Sequence, residues 1–116
     1  MPAIGSSGVQ DGVCYVYVPH TTAGVTINEN ADPSVLTDFE SMFNHLVQEN
    51  LPFLTHTLEG PDDMPAHIRS VLTGSELTLP VSGGRPTLGT WQGVYLWEHR
   101  RRPHRRSITV TVMGEA

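Results

Sequence analysis

The chain of 116 residues contains no lysine, and all seven of its basic residues are arginine. Five of these arginines lie in one segment, RRRPHRR at residues 100–106, while the rest of the chain carries 12 acidic residues and two arginines. A nucleic-acid-binding protein usually shows broader basic coverage together with aromatic stacking groups. No nucleic acid partner is therefore expected. The segment is interpreted as a solvated turn, except for Arg100, which is interpreted as a contact for an anion such as phosphate.

The single cysteine, Cys14, excludes an internal disulfide. It lies in the apolar run GVCYVYV and is interpreted as a small buried hydrophobic residue rather than a reactive thiol. No apolar run approaches the roughly 20 residues that a membrane-spanning helix needs. The N-terminal MPAIGSSGVQDG has neither the charged region nor the apolar region of a signal peptide. By elimination, a cytoplasmic protein with no membrane partner is expected.

No internal repeat, low-complexity segment or Pro/Gly/Ser-rich linker divides the chain, so residues 1–116 are expected to form a single domain. The clearest helix is predicted to begin with Asp32 as its N-cap and Pro33 at the first helical position, where a missing N–H costs nothing. Apolar residues then recur at helical spacing and form one stripe. The stripe consists of Val35, Leu36, Phe39, Met42, Phe43, Leu46 and Val47.

A second, shorter helix is predicted over about residues 65–73, with Asp63 or Met64 as its cap and Gly74 as its end. His67 falls in its first turn, near the apolar side. That side, which is expected to be buried, consists of Met64, Ile68, Val71 and Leu72.

Segments typical of β-strands outnumber the two helices, because they are rich in β-branched and aromatic residues and end at proline, glycine or polar turns. The first is a continuous apolar run, which predicts a strand buried on both faces. The last three are expected to form an antiparallel meander. The predicted class is therefore α+β, with antiparallel β-sheets and two helices. The segments are GVCYVYVP (12–19), GVTIN (24–28), ELTLPV (76–81), LGTWQGVYLWEH (88–99) and SITVTVM (107–113).

Three histidines flank two polar connections. His20 follows the first strand, while His56 precedes and His67 ends the loop that contains EGPDDMPAH, residues 59–67. Strand ends and helix starts converge on functional clefts more often than the middles of elements do. The spacing is neither HExxH nor a zinc-finger pattern. A metal site and a set of hydrogen-bonded structural histidines are therefore both open interpretations.

Carboxylates form a second group of candidates. Asp62 and Asp63 are adjacent, an arrangement that can hold Mg²⁺, although one of them has a sufficient role as a helix cap. Glu98 lies at a strand end beside Arg100, where it would form an ion pair or orient a histidine. Trp91, between two glycines, is either packed in the core or forms a stacking wall for a heterocyclic ligand.

Taken together, these segments resemble the YjbQ-like family of small bacterial and archaeal proteins. The resemblance runs from residue 20 to residue 115 in the order of the family, which makes it specific. The matching stretches are HTTAGVTINENADP (20–33), HTLEGPDDMPAHIRS (56–70), LTLPVSGG (77–84), LGTWQGVYLWEHR (88–100) and ITVTVMGE (108–115).

The resemblance implies an α+β fold with antiparallel sheets, a homotrimer and a weak thiamine phosphate synthase activity that is described as secondary. It also implies a metal site at the histidines that match His20, His56 and His67. The resemblance further gives, as candidates of second rank for the functional site, Glu59, Asp62, Asp63, Glu98 and Arg100.

Family members usually have a further N-terminal strand and a short helical segment before the first buried strand. Against that pattern, this chain is expected to be N-terminally short. An unpaired strand edge is therefore expected near residues 13–18.

Three hypotheses for the function follow. The first is condensation of a pyrimidine pyrophosphate with a thiazole phosphate, which releases pyrophosphate. Mg²⁺ at Asp62 and Asp63 and a phosphate contact from Arg100 would stabilise the leaving group, and Trp91 would stack on a ring. Three histidines, however, favour zinc or another transition metal over Mg²⁺.

The second hypothesis is a metal-dependent hydrolase or lyase of a small phosphorylated or carbonyl substrate, with Glu59 or Glu98 as the base. The third is a non-enzymatic, trimeric small-molecule binding protein. For the loop at residues 59–67, we predict a rigid segment that carries His67 to meet His56 and His20 around one divalent transition metal. The competing interpretations are Mg²⁺ at both aspartates, and a purely structural role.

Overall fold

The computed structural model describes all 116 residues and shows three helices and two antiparallel β-sheets. The predicted α+β class is confirmed, but the predicted number of two helices is wrong. Helix α1 precedes the first buried strand, where the chain was expected to lack the short helical segment of the family. None of the helices is both long enough and apolar enough to cross a membrane. The elements are α1 (Pro2–Ser7), β1 (Asp11–Tyr17), β2 (Ala23–Glu29), α2 (Pro33–Leu46), α3 (Asp63–Thr73), β3 (Glu76–Ser82), β4 (Arg85–Pro86), β5 (Gln92–Glu98) and β6 (Thr109–Glu115).

The larger sheet has the strand order β4-β3-β1-β6, and β1 is paired antiparallel on both sides. Cys14, for example, lies opposite Leu79 on β3 and Val112 on β6. The expected meander of the last three long strands is therefore wrong. The expected open edge at β1 is also wrong, because two distant segments satisfy its backbone N–H and C=O groups.

Alternate residues of β1 face the core, so the expectation that this strand is buried on both faces is wrong. Cys14 and Val16 are buried, whereas Tyr15 and Tyr17 are 42% and 47% exposed. This alternation is typical of a sheet that is covered on one face only. The assignment of Cys14 as a buried hydrophobic residue is confirmed, and burial raises the pKa of its thiol.

Helix α2 begins as predicted, with the Asp32 carboxylate accepting a hydrogen bond from the Ser34 amide at 2.9 Å. Its apolar stripe packs only in part. Phe39 and Phe43 contact the ring of Trp97 on β5, with centroids 5.7 and 4.9 Å apart. No residue within the helix is fully buried. Four apolar side chains of the stripe are exposed by 36–64%: Leu36, Phe39, Met42 and Leu46.

Helix α3 begins earlier than predicted and ends at Gly74 as predicted. Its buried side is not the expected one, because Val71 and Leu72 are 83% and 59% exposed. The buried side instead carries small residues, and the Ser70 hydroxyl donates to the Ala23 carbonyl at 2.9 Å. Gly24 on β2 makes this close approach feasible. Since α3 also carries Asp63 and His67, its seat on β2 fixes the position of the candidate site.

Candidate metal centre

Asp63, in the first turn of α3, lies at the centre of a cluster of polar side chains. Its carboxylate is 1% exposed, and Oδ2 lies 2.8 Å from His56 Nε2 and 3.3 Å from His67 Nε2. The spacing of four residues brings Asp63 and His67 to one face of the helix. The preceding loop supplies His56, whose ring meets that of His67 edge to face with centroids 5.3 Å apart.

Arg100, just beyond β5, holds the acidic loop against the strand end. Its Nη1 donates to Asp63 Oδ1 at 2.8 Å and its Nε to Asp62 Oδ2 at 3.0 Å. Its Nη2 donates to the Glu59 carbonyl at 2.9 Å. The bond from Arg100 and a second bond from the Arg101 amide lower the pKa of Asp62 to about 2. Two adjacent carboxylates also raise the pKa of Arg100.

Two imidazole nitrogens and one carboxylate oxygen, from His56, His67 and Asp63, all lie within 4.8 Å of one another. Tetrahedral zinc with bonds of about 2.0–2.1 Å needs ligand atoms roughly 3.3 Å apart. The observed separations of 2.8 and 3.3 Å are close to that value. Nitrogen-rich donors suit zinc and similar transition metals better than Mg²⁺. The donor types and these two separations therefore fit a transition metal, and the 2.8 Å contact is also a hydrogen bond between His56 and Asp63.

The structure does not bring His20 into this group. Its Nε2 accepts a hydrogen bond from the Ser107 amide at 2.8 Å. His20 and His67 instead line one small cleft of about 360 Å³. The cluster therefore contains Asp63 in the place that the sequence assigned to a third histidine.

The expected Mg²⁺ pair, Asp62 and Asp63, has a different arrangement. Both carboxylates accept hydrogen bonds from Arg100, so a shared Mg²⁺ would compete with a guanidinium that is already in place. Each of the three guanidinium nitrogens of Arg100 already donates a hydrogen bond within the protein. The predicted anion contact at Arg100 is therefore not favoured by the geometry.

Glu98 pairs with Arg106 rather than with the side chain of Arg100. The two Arg106–Glu98 bonds measure 2.5 and 2.6 Å, and the Arg100 amide donates to Glu98 at 2.9 Å. Partial burial acts to raise the pKa of Glu98, but the bonds from Arg106 and from the Arg100 amide outweigh it and lower the pKa. Arg106, expected in a solvated turn, has a side chain only 9% exposed, so that expectation is wrong.

The other two predicted residues lie differently. Glu59 contributes its carbonyl to Arg100, while its side chain is exposed. Trp91 precedes β5, is 64% exposed and has no aromatic neighbour, so it is not the packed core residue that was one interpretation. Sequence reasoning missed the central place of Asp63 between the histidines. The predicted helix began two residues too late, so the helical spacing of four residues between Asp63 and His67 was not recognised.

The fold and the cluster define an α+β protein with a candidate metal centre built by a loop, a helix start and a strand end. The sequence profile described as "UPF0047 protein YjbQ-like" matches residues 2–115. The chain belongs to the YjbQ/UPF0047 family.

Relatives cover nearly all of the chain. A UPF0047 protein of Synechocystis is 56% identical over 109 residues, which are 94% of this chain and 74% of the relative. One from Methanocaldococcus jannaschii is 50% identical over 97% of this chain and 78% of its own length.

Solved structures share the fold. The crystal structure of an uncharacterized conserved protein of the YjbQ/UPF0047 family from Clostridium acetobutylicum has a TM-score of 0.86 and 38% identity, over 97% of this chain and 83% of that one. A hypothetical protein from Aeropyrum pernix has a TM-score of 0.87 and 33% identity, over 98% and 82%. The first is described as uncharacterized and the second as hypothetical, so their likeness shows the fold and assigns no activity.

Proposed function

We propose that this protein is a metal-dependent enzyme that binds a divalent transition metal through His56, Asp63 and His67. Its substrate class is a small phosphorylated or carbonyl compound, and its reaction is a hydrolysis or an elimination. One observation carries the proposal. Two histidine nitrogens and one oxygen of a buried carboxylate, which are atoms that bind transition metals, all lie within 4.8 Å of one another. The histidine side chains are 51% and 30% exposed, so the cluster is open to solvent on one side.

A metal bound by three protein ligands supplies an activated water and a Lewis acid for a carbonyl or phosphoryl oxygen. The residues of the chain have separate tasks. Arg100 engages Asp63 Oδ1 and leaves Oδ2 directed at the two histidines. Such orientation of a ligating carboxylate by a further hydrogen bond is typical of metal sites. The bonds from Arg106 lower the pKa of Glu98 and make it a poor base. Glu59, whose carbonyl accepts a bond from Arg100 beside Asp63, is the candidate base that remains.

Elemental analysis of the purified protein tests this proposal. We expect near-stoichiometric zinc, manganese, nickel or iron in the native protein and its loss in His67→Ala. His45→Ala is the matched control, because His45 is exposed and lies outside the cluster. If native protein incubated with excess zinc retains no transition metal, the proposal is wrong.

Thiamine phosphate synthase activity is the second candidate, and its support is the resemblance to the family. The geometry favours it less, since Arg100 is already paired with Asp62 and Asp63. Incubation with the pyrimidine pyrophosphate and the thiazole phosphate, followed by measurement of released pyrophosphate, tests it directly. Turnover that needs Mg²⁺ and survives His67→Ala would favour this candidate over the histidine site.

We further propose that the chain works as a homotrimer in the cytoplasm. The resemblance implies the trimer, and uncovered apolar surface supports assembly of some kind. Leu58, Val71 and Phe53 are 100%, 83% and 74% exposed, and four apolar side chains of α2 are exposed by 36–64%. Exposed apolar surface of this extent commonly marks an interface. Light scattering at micromolar concentration tests the assembly, and a monomer would contradict it.

A further inference from the structure

A second cleft, of about 620 Å³, lies between α2 and the end of β5. It borders the Asp62–Arg100 pair, but neither His56 nor His67 lines it, so it is separate from the candidate metal centre. Its volume is within the range of small-molecule sites, about 300–1,000 Å³. What the cleft can bind follows from the charges and rings of its wall.

Arg69 is the one arginine of this wall that has no carboxylate partner, and Glu40 is the one carboxylate of the wall that has no cationic partner. The other two arginines that line the cleft are paired, Arg100 with Asp62 and Arg101 with Glu49. Arg69 has no carboxylate within 4.0 Å and instead donates from Nη2 to the Asn44 side chain and a backbone carbonyl, at 3.2 and 3.1 Å. Its Nε–H is buried and has no hydrogen-bond partner in the protein. A buried donor of this kind is strongly stabilised by an acceptor.

His99 supplies an unpaired acceptor to the same wall. It is 5% exposed, its Nε2 lies 3.1 Å from the Thr73 hydroxyl, and its Nδ1 has no partner. Thr73 can donate its single hydroxyl proton to the Arg69 carbonyl, 3.1 Å away. Nε2 then carries the imidazole proton and Nδ1 is a bare acceptor. Burial first, and the charge of Arg69 second, lower the pKa of His99 to about 4, so the ring is neutral near pH 7.

Aromatic rings complete the wall. Trp97 lies 4.9 Å from Phe43 and 5.7 Å from His99 by ring centroids. Together these rings offer flat apolar surface beside a free cation and a free acceptor. Flat aromatic surface favours planar ligands, which gain from offset or edge-to-face contacts.

We infer that this cleft binds a small planar organic acid, with its carboxylate on Arg69 and its ring against Trp97 and Phe43. A ring N–H or O–H of the ligand donates to His99 Nδ1. Arg69 provides the charge-assisted bonds that a carboxylate accepts. The two unpaired atoms are shielded from solvent, so side chains that cover them have to move before a ligand can reach them, and Trp97 packs against one of the two residues, His99.

Pyrrole-2-carboxylate is a suitable probe, because it combines a planar ring, a carboxylate and a ring N–H. The experiment follows the indole N–H signals of the two tryptophans by NMR during a titration. We expect a saturable shift of the Trp97 signal, while the signal of Trp91, which is exposed and does not line the cleft, stays in place as an internal reference. Pyrrole, which has no carboxylate, and acetate, which has no ring, are expected to leave both signals unchanged.

The matched variants are Arg69→Lys and Arg102→Lys. Arg69→Lys keeps the charge but removes the forked guanidinium, so we expect affinity at least about tenfold weaker. Arg102 is exposed and unpaired, and its variant is expected to bind like the native protein. Equal affinity in the native protein and in Arg69→Lys would overturn the inference.

A readout on native protein covers the case in which Arg69→Lys does not fold. We expect nuclear Overhauser contacts between the ring protons of the probe and Trp97 or Phe43. Their absence under saturating probe, or the absence of saturable binding, would overturn the inference. All titrations use metal-free protein and are repeated in His67→Ala. The outcome therefore does not depend on the candidate metal centre.

Discussion

Arg100 Nη1 donates to Asp63 Oδ1 at 2.8 Å, a charge pair that joins the end of β5 to the first turn of α3 across 37 positions of sequence. Asp63 is 1% exposed and Arg100 is 14% exposed, so water screens this pair little. The pair couples the fold to the candidate metal centre, because Asp63 also contacts His56 and His67. Its loss should therefore be visible both in stability and in the site.

Arg100→Gln is expected to destabilise the protein strongly. The substitution leaves the Asp63 carboxylate without its cationic partner, and a buried charge that loses its partner costs about 3 kcal/mol or more. Urea denaturation of metal-free protein measures the effect. Arg102→Gln is the control and is expected to change the free energy of unfolding by less than about 0.5 kcal/mol, since Arg102 is exposed and unpaired. Similar losses in the two variants would show that the ion pair contributes little.

Gly24→Ala is expected to be destabilising by about 3 kcal/mol, at the upper end of overpacking costs. A Cβ at position 24 would lie 2.0 Å from Thr73 Oγ1 and 2.7 Å from the Gly74 carbonyl, where α3 meets β2. The helix would have to move away, carrying Asp63 and His67 with it. The matched control is Gly5→Ala in α1, where a Cβ meets nothing within 4 Å.

For Gly5→Ala we expect no loss, or a gain of about 0.5–1 kcal/mol, because alanine favours a helix over glycine. Thermal or urea unfolding compares the two variants. If Gly24→Ala leaves the free energy of unfolding unchanged, α3 does not need to pack so closely against β2.

Local signals in the sequence predicted local structure well. Asp32 and Pro33 fix the start of α2, and Gly74 fixes the end of α3, because capping depends on residues within one turn. The pairing of β1 with β6 was missed, since it joins segments about 100 residues apart and nothing local encodes it. The burial of α3 was also misjudged. Its apolar residues Val71 and Leu72 face outward, while small residues allow close packing on β2.

The candidate site was predicted in part. His56 and His67 lie together, but His20 is bonded to the Ser107 amide. Asp63 was interpreted as a cap or a Mg²⁺ ligand. Its place between two histidines depends on the path of the loop before α3, which brings His56 against the first turn of that helix. Arg106 was missed because a run of charges usually indicates a solvated turn, whereas here one member reaches back to Glu98.

His99 is expected to make the protein less stable in mild acid. Its pKa in the folded state is about 4, lowered from 6.5 chiefly by burial, and by the charges of Arg69 and Arg106 against the opposing effect of Glu98. Below pH 6.5 the unfolded chain binds the proton more readily than the folded chain does. The free energy of unfolding therefore falls as the pH drops from 6.5 to about 4, by on the order of 3 kcal/mol, and this contribution levels off below pH 4.

Urea denaturation of metal-free protein across this pH range measures the effect, with His99→Gln as the comparison. Glutamine does not titrate, so the variant should lose most of the slope between pH 6.5 and 4. Asp62, with its pKa lowered from 3.8 to about 2, adds a separate loss only below about pH 4. An identical slope in native protein and His99→Gln would show that His99 is not the group responsible.

Metal binding is expected to depend on Asp63 and not on His20. Asp63→Asn removes the negative charge from the carboxylate that faces both histidine Nε2 atoms. We therefore expect the affinity for the transition metal to fall at least about tenfold. His20→Ala removes a side chain whose Nε2 is occupied by the Ser107 amide, and we expect it to keep nearly native metal content.

Elemental analysis and competition with a chelator measure both variants, and circular dichroism checks that each is folded. Should His20→Ala lose its metal while Asp63→Asn keeps it, the site contains three histidines and the loop must rearrange when the metal binds. Should both variants keep the metal, neither side chain is a ligand. Loss in Asp63→Asn alone identifies the carboxylate, held in place by Arg100, as the third ligand beside His56 and His67.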